Sequence, residues 1–146
     1  MKTSIIKTLI FSVSFLTLIL FTPECKKENT DLIPYMYVNF YINPNSTQYL
    51  GINNIGGYVY VTGGVKGIII YRSSEDEFVA LERNCPYKPS SSCATVQVDN
   101  SGIVAVDSCC GSKFLLLDGS IVKGPATSQL KLYQTSFDGN TLHVFN

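Results

Sequence analysis

The sequence predicts an all-β domain, and three observations carry that prediction. From Tyr35 onward, short runs rich in Val, Ile, Tyr and Phe alternate with clusters of Gly, Asn, Ser, Asp and Pro. No 3.6-residue apolar period persists across these runs, so helix is not the expected element. The connectors carry turn chemistry, most clearly Asp138-Gly139-Asn140, a hairpin signal between two strand-like runs.

The elements follow in chain order. YMYVNFYI (35–42) is the first expected strand, closed by the turn-rich YINPNSTQ. GYVYVT (57–62) and GIIIYR (67–72) flank TGGVKG, in which Gly63-Gly64, like Gly56-Gly57, reads as a turn or bulge. Neither glycine pair is followed by a helical pattern, so neither reads as a phosphate loop. EFVALE (77–82) follows the acidic Glu75, Asp76 and Glu77, read as a solvated hairpin tip. TVQV (95–98) and IVAVD (103–107) flank VDNSG, and KFLLL (113–117) runs into LDGS. QLKLYQTSF (129–137) and TLHVF (141–145) close the chain. The single histidine, His143, lies in this last run and reads as an ordinary surface or packed side chain.

Residues 1–24 read as an address. Lys2 and Lys7 precede the apolar TLIFSVSFLTLILF (8–21), the charged-then-apolar order of a secretory signal. Cys25 and the polar KKENTD (26–31) follow, an arrangement that resembles a bacterial lipoprotein. The expectation is a signal peptide over 1–24, lipidation of Cys25, a tether over 25–34 and a β domain over 35–146. An uncleaved membrane anchor and a plain signal peptide are the alternatives, and all three export the domain. The protein would then sit in the cell envelope, on the periplasmic side or the surface, held to a membrane by its lipid.

Removing residues 1–24 takes away Lys2, Lys7 and Glu24, leaving nine basic residues against ten acidic ones. No basic field remains, so no nucleic-acid partner is expected. Beyond Cys25 there are four cysteines, Cys85, Cys93, Cys109 and Cys110. In an exported protein an even set reads first as two disulfides, with three pairings open. Joining the neighbours Cys109 and Cys110 would demand a strained peptide geometry. Four thiolates also suit zinc or a cluster in number, but adjacent residues on an extended backbone point their side chains apart.

From Cys85 onward the order of features resembles a Rieske iron-sulfur domain. CPY (85–87) stands where that family has a C-x-H loop, and DSCCGSKF (107–114) where it has C-P-C-H-G-S-x-F. LLLDGSIVKGPATSQLKLYQTSFDGNTLHV (115–144) is similar to the family's strand, glycine turn, V-x-x-G-P-A, L-x-x-Y and closing hairpin. The resemblance implies a Rieske-like antiparallel β-sandwich with two cysteine-bearing loops.

A Rieske 2Fe-2S cluster takes two Cys on one iron and two His on the other. The resemblance puts Cys85 at the first cluster cysteine, Tyr87 at the first His, Asp107 at the second cluster cysteine and Cys110 at the second His. It also puts Cys109 at the cysteine that joins the two loops, which implies a Cys93–Cys109 bridge. Cys85 and Cys110 would then face each other, closed by a second bridge or left as a redox-active pair.

The expectation is a degenerate cluster site with no catalytic residue and no cofactor, in a non-catalytic envelope or accessory module. One alternative is an electron-transfer protein holding an atypical 2Fe-2S cluster on Cys85 and Cys110, with Tyr87 and Asp107 at the other positions. The other is a thiol-disulfide redox protein using Cys85 and Cys110. No protein partner is identifiable from the residues.

Overall fold

The computed structural model describes residues 32–146. The expected signal segment, Cys25 and the tether as far as Asp31 lie outside the described residues. Among these, ten strands form: β1 (Asn39–Ile42), β2 (Tyr58–Val61), β3 (Ile68–Arg72), β4 (Phe78–Glu82), β5 (Val96–Val98), β6 (Val104–Asp107), β7 (Lys113–Leu115), β8 (Ile121–Lys123), β9 (Leu132–Phe137) and β10 (Leu142–Phe145). The domain is all-β and antiparallel, as the turn-punctuated apolar runs predict.

The strands form a six-stranded sheet in the order β1-β10-β9-β4-β3-β2 and a four-stranded sheet in the order β5-β6-β7-β8. Alternation along β3 and β4 explains how they pack. Ile69, Tyr71 and Leu81 join Val96, Ala105, Phe114 and Leu116 of the small-sheet segment in one core. Ile68, Ile70, Phe78 and Ala80 join Val38, Ile42, Ile52, Tyr133, Leu142 and Val144 in another. The middle of the large sheet thus carries an apolar layer on each face, which is why GIIIYR is unbroken rather than alternating.

Three local differences from the sequence reading have physical causes. β1 begins at Asn39 because residues 35–38 lie beyond the β10 register, with Val38 O accepting the Asn146 N–H at 3.1 Å. β8 was not expected: all three of its residues are exposed, so no inward-outward pattern marks it. The 3-10 stretch Thr47–Ile52 begins inside the expected YINPNSTQ turn (41–48) and runs past it, and it buries only Ile52, too little to set up a helical period.

The closing hairpin forms as expected. Asp138 Oδ1 accepts the Asn140 and Thr141 N–H groups at 2.9 and 2.6 Å, and β9 pairs with β10 from Phe137↔Leu142. Glu75, Asp76 and Glu77 are exposed at the β3–β4 tip, again as expected.

Candidate functional site

Two loops meet where the sheets are joined. The first leaves β4 in the large sheet and enters β5 in the small one. Its neck is an Asn84↔Thr95 bridge, and the Cys85 N–H donates to Ala94 O at 3.1 Å. Cys85 is thereby fixed in the core, fully buried. Lys66 Nζ clips the far side of the loop, donating to Ser91 O and, at 3.1 Å, to Ala94 O.

The second loop joins β6 to β7 and is tight. Asp107 N–H donates to Ser112 O at 2.9 Å, and Gly111 N–H to Asp107 O at 2.7 Å. Gly111 takes φ +79°, the left-handed region that favours glycine. Asp107 Oδ1 accepts the Cys109 N–H at 2.8 Å, the side-chain-to-backbone turn that aspartate forms readily. A Cys93–Cys109 disulfide ties this loop to the first, with Cα atoms 5.6 Å apart. That is the bridge the resemblance implied.

Cys85 and Cys110 remain as thiols, with sulfurs 3.9 Å apart, so the second bridge considered above is not formed. Asp107, also fully buried, completes a three-residue group whose donor atoms all lie within 4.8 Å of one another. The Cys110 sulfur lies 3.2 Å from Asp107 Oδ2 and 3.1 Å from Ser112 Oγ. The Ser112 N–H points at the same sulfur from 3.4 Å. Ser112 Oγ in turn accepts the Ala126 N–H at 2.9 Å, which joins the Gly111-Ser112-x-Phe114 and Gly124-Pro125-Ala126 segments directly.

The two thiols differ. Burial in the apolar core pushes the Cys85 thiol well above its ordinary range, and its hydrogen bond to Asp107 adds to that; a backbone N–H at Tyr87 opposes them. Cys110 is only half-buried and is the member of the group that reaches solvent. The arrangement can hold a soft cation between two sulfurs and an oxygen, or close to a disulfide.

An anchor behind the first loop escaped the sequence reading. Glu82, fully buried at the end of β4, accepts the Val65, Lys66 and Asn84 N–H groups at 2.7, 3.0 and 2.9 Å and the Tyr133 hydroxyl at 2.7 Å. A Cβ on Gly64 would collide with Glu82 Oε2 and Tyr133 Oη, and its φ of +60° favours glycine. The Gly63-Gly64 turn was legible; the carboxyl group it wraps was not, since one Glu ending an apolar run looks like a solvated strand end.

The other expected residues fall outside the group. Tyr87 is half-buried against the core, with Lys88 Nζ 5.5 Å from its ring centroid. His143 lies in β10 of the large sheet, stacked between Tyr41 and Phe145 at 4.1 and 4.4 Å, with Nε2 2.8 Å from Asn39 Oδ1. It is a packed surface side chain.

A Rieske cluster does not fit these residues. Its second iron needs two imidazoles, and the only histidine is His143, in a different sheet from Asp107 and from the β6 and β7 strands that flank Cys110. Its first iron needs two thiolates, and Asp107 offers a carboxyl oxygen. Donors within 4.8 Å of one another converge on one point, whereas a two-iron rhomb needs two pairs on opposite sides. No protein-family model matches this chain, and no curated protein matches it either.

Proposed function

We propose that the protein is an exported, lipid-anchored accessory domain of the cell envelope, built on a Rieske-like scaffold that has lost its cluster and acts without catalysis. The observation that carries this reading is the convergence of Cys85, Asp107 and Cys110 into one group within 4.8 Å. They stand at three of the four ligand positions that the resemblance defines. The Cys93–Cys109 bridge and the Ser112–Ala126 hydrogen bond support the scaffold part of the reading.

The test is anaerobic purification followed by iron and sulfide analysis, a visible spectrum, a count of free thiols and peptide mapping. The expected outcome is no charge-transfer absorption, no stoichiometric iron and two free thiols, with Cys93 and Cys109 recovered as one bridged peptide. Stoichiometric iron and sulfide would replace this reading with electron transfer. Metabolic labelling with a fatty acid tests the anchor, and labelling that persists in Cys25→Ala would refute it.

A second reading, thiol-disulfide exchange, has one observation in its favour: the 3.9 Å separation of the Cys85 and Cys110 sulfurs. The burial that pushes the Cys85 thiol up works against it, because the thiolate is the attacking form. Activity would then rest on Cys110 attacking first, and a Cys110→Ser protein with undiminished disulfide-reductase activity would sink it.

A further inference from the structure

The three groups that fail a two-iron cluster meet the requirements of a single ion. Zinc takes Cys sulfur at about 2.3 Å and carboxylate oxygen at about 2.0 Å in a tetrahedron, so two sulfurs on one ion stand about 3.8 Å apart and a sulfur and an oxygen about 3.5 Å. The Cys85 and Cys110 sulfurs are 3.9 Å apart, and Cys110 Sγ is 3.2 Å from Asp107 Oδ2. Little movement is needed to bring all three onto one centre.

The surroundings are those of a ligand set already oriented. Metal ligands are held by outer hydrogen bonds that fix their direction. Here the Cys109 N–H fixes Asp107 Oδ1, and the Ser112 N–H and hydroxyl flank the Cys110 sulfur. The Cys93–Cys109 bridge locks the two loops that supply the donors. A fully buried carboxyl group is the second pointer: beyond one backbone N–H on Oδ1, its oxygens face thiols, weak donors whose place a metal ion would take.

We propose that Cys85, Asp107 and Cys110 form a site for one zinc ion, with the fourth position open to water on the half-buried Cys110 side. Binding exchanges two S–H bonds for two Zn–S bonds and releases two protons to solvent. The four-thiolate site weighed from the sequence is a different one, and with Cys93 and Cys109 bridged only two thiols are present. The inference rests on the cluster-less reading, because a cluster would use the same thiols.

The test uses the full-length chain, purified anaerobically in detergent without thiol reductant so that the structural bridge survives. Zn²⁺ and Co²⁺ are titrated in separate samples, the first followed by competition with a chromophoric chelator and the second by absorption. The expected result is one ion per chain, with thiolate-to-cobalt charge-transfer bands and the visible bands of a tetrahedral site. Cys110→Ser and Asp107→Asn should each weaken zinc binding at least tenfold while leaving the metal-free circular dichroism unchanged. If a variant fails to fold, alkylating Cys110 in the folded wild-type chain makes the same cut. The inference is overturned if two thiols titrate yet neither ion binds, if Cys110→Ser or alkylated protein binds as tightly as the untreated chain, or if Cys85 and Cys110 are recovered joined. Iron and sulfide in stoichiometric amount would instead defeat the cluster-less reading itself.

Discussion

Glu82 and Asp107 are both fully buried, yet their surroundings differ in kind. Glu82 receives four donors, two on each oxygen: Lys66 and Asn84 N–H on Oε1, Val65 N–H and the Tyr133 hydroxyl on Oε2. Asp107 receives one backbone N–H on Oδ1, and its other oxygen faces Cys110, a weak donor. A saturated carboxyl group organises backbone and can do nothing else. One facing two thiols has lone pairs that no strong donor takes up, and that difference is what the proposed zinc site rests on.

The largest effect should come from Glu82→Gln. Each Glu82 oxygen already takes two donors, so an amide nitrogen would strand the Lys66 and Asn84 N–H groups on the Oε1 side or the Val65 N–H on the Oε2 side, where only the Tyr133 hydroxyl can turn to accept from it. Each stranded buried donor costs about 1–3 kcal/mol, and we expect a total loss of about 4 kcal/mol in urea unfolding. A loss under about 1 kcal/mol would erase the contrast with Asp107. Next in size is the double replacement Cys93→Ser with Cys109→Ser. The bridge spans a sequence separation of 16, for which the chain-entropy model gives about 3 kcal/mol. Unfolding of the double variant measures it, and an unchanged urea midpoint would show that the Asp107 loop is held without it.

A smaller effect, about 1 kcal/mol at neutral pH, is expected of Tyr133→Phe, which strands one of the lone pairs of Glu82. Its pH dependence is the more telling part. Burial and then the Glu82 hydrogen bond push the Tyr133 hydroxyl above its ordinary value. A raised value means the folded state holds its proton more tightly than the unfolded chain does. That stabilisation is complete below the unfolded value of about 10 and declines as pH rises beyond it. Stability of the wild-type chain should therefore fall faster than that of Tyr133→Phe as pH rises above about 10. Parallel curves would mean that the hydroxyl is not held by Glu82.

Much of this contrast was hidden in the sequence, for physical reasons. The strands were legible because β3, β4, β9 and β10 are long enough to show runs bounded by turns, and Asp138-Gly139-Asn140 named its own hairpin. β8 was not, because three exposed residues leave no burial pattern. Cys93–Cys109 followed from the resemblance, which places Cys109 at the cysteine joining the two loops. Asp107 was expected only as a stand-in for a cysteine; its contact with both thiols depends on the tight 107–112 turn folding back on itself. Glu82 was invisible because its four partners come from the 64–67 turn, from Asn84 and from β9, brought together only by the sheet.

The smallest stability effect should belong to Asp107→Asn, and its smallness is the point. Asn keeps an oxygen for the Cys109 N–H, so the turn survives. Its amide nitrogen then faces the Cys85 and Cys110 sulfurs, which accept weakly, so the one underused donor is the new amide itself and no backbone N–H is stranded. The expected cost in metal-free protein is about 1 kcal/mol or less, several-fold below that of Glu82→Gln, although both changes swap one oxygen for nitrogen in a fully buried group. A cost matching that of Glu82→Gln would show that Asp107 is a second structural carboxyl group, and its place beside two thiols a consequence of turn geometry alone. A small cost, together with unchanged alkylation of Cys110 in the folded chain, leaves a buried acid that the fold does not need, set beside two thiols that the proposed zinc ion would share with it.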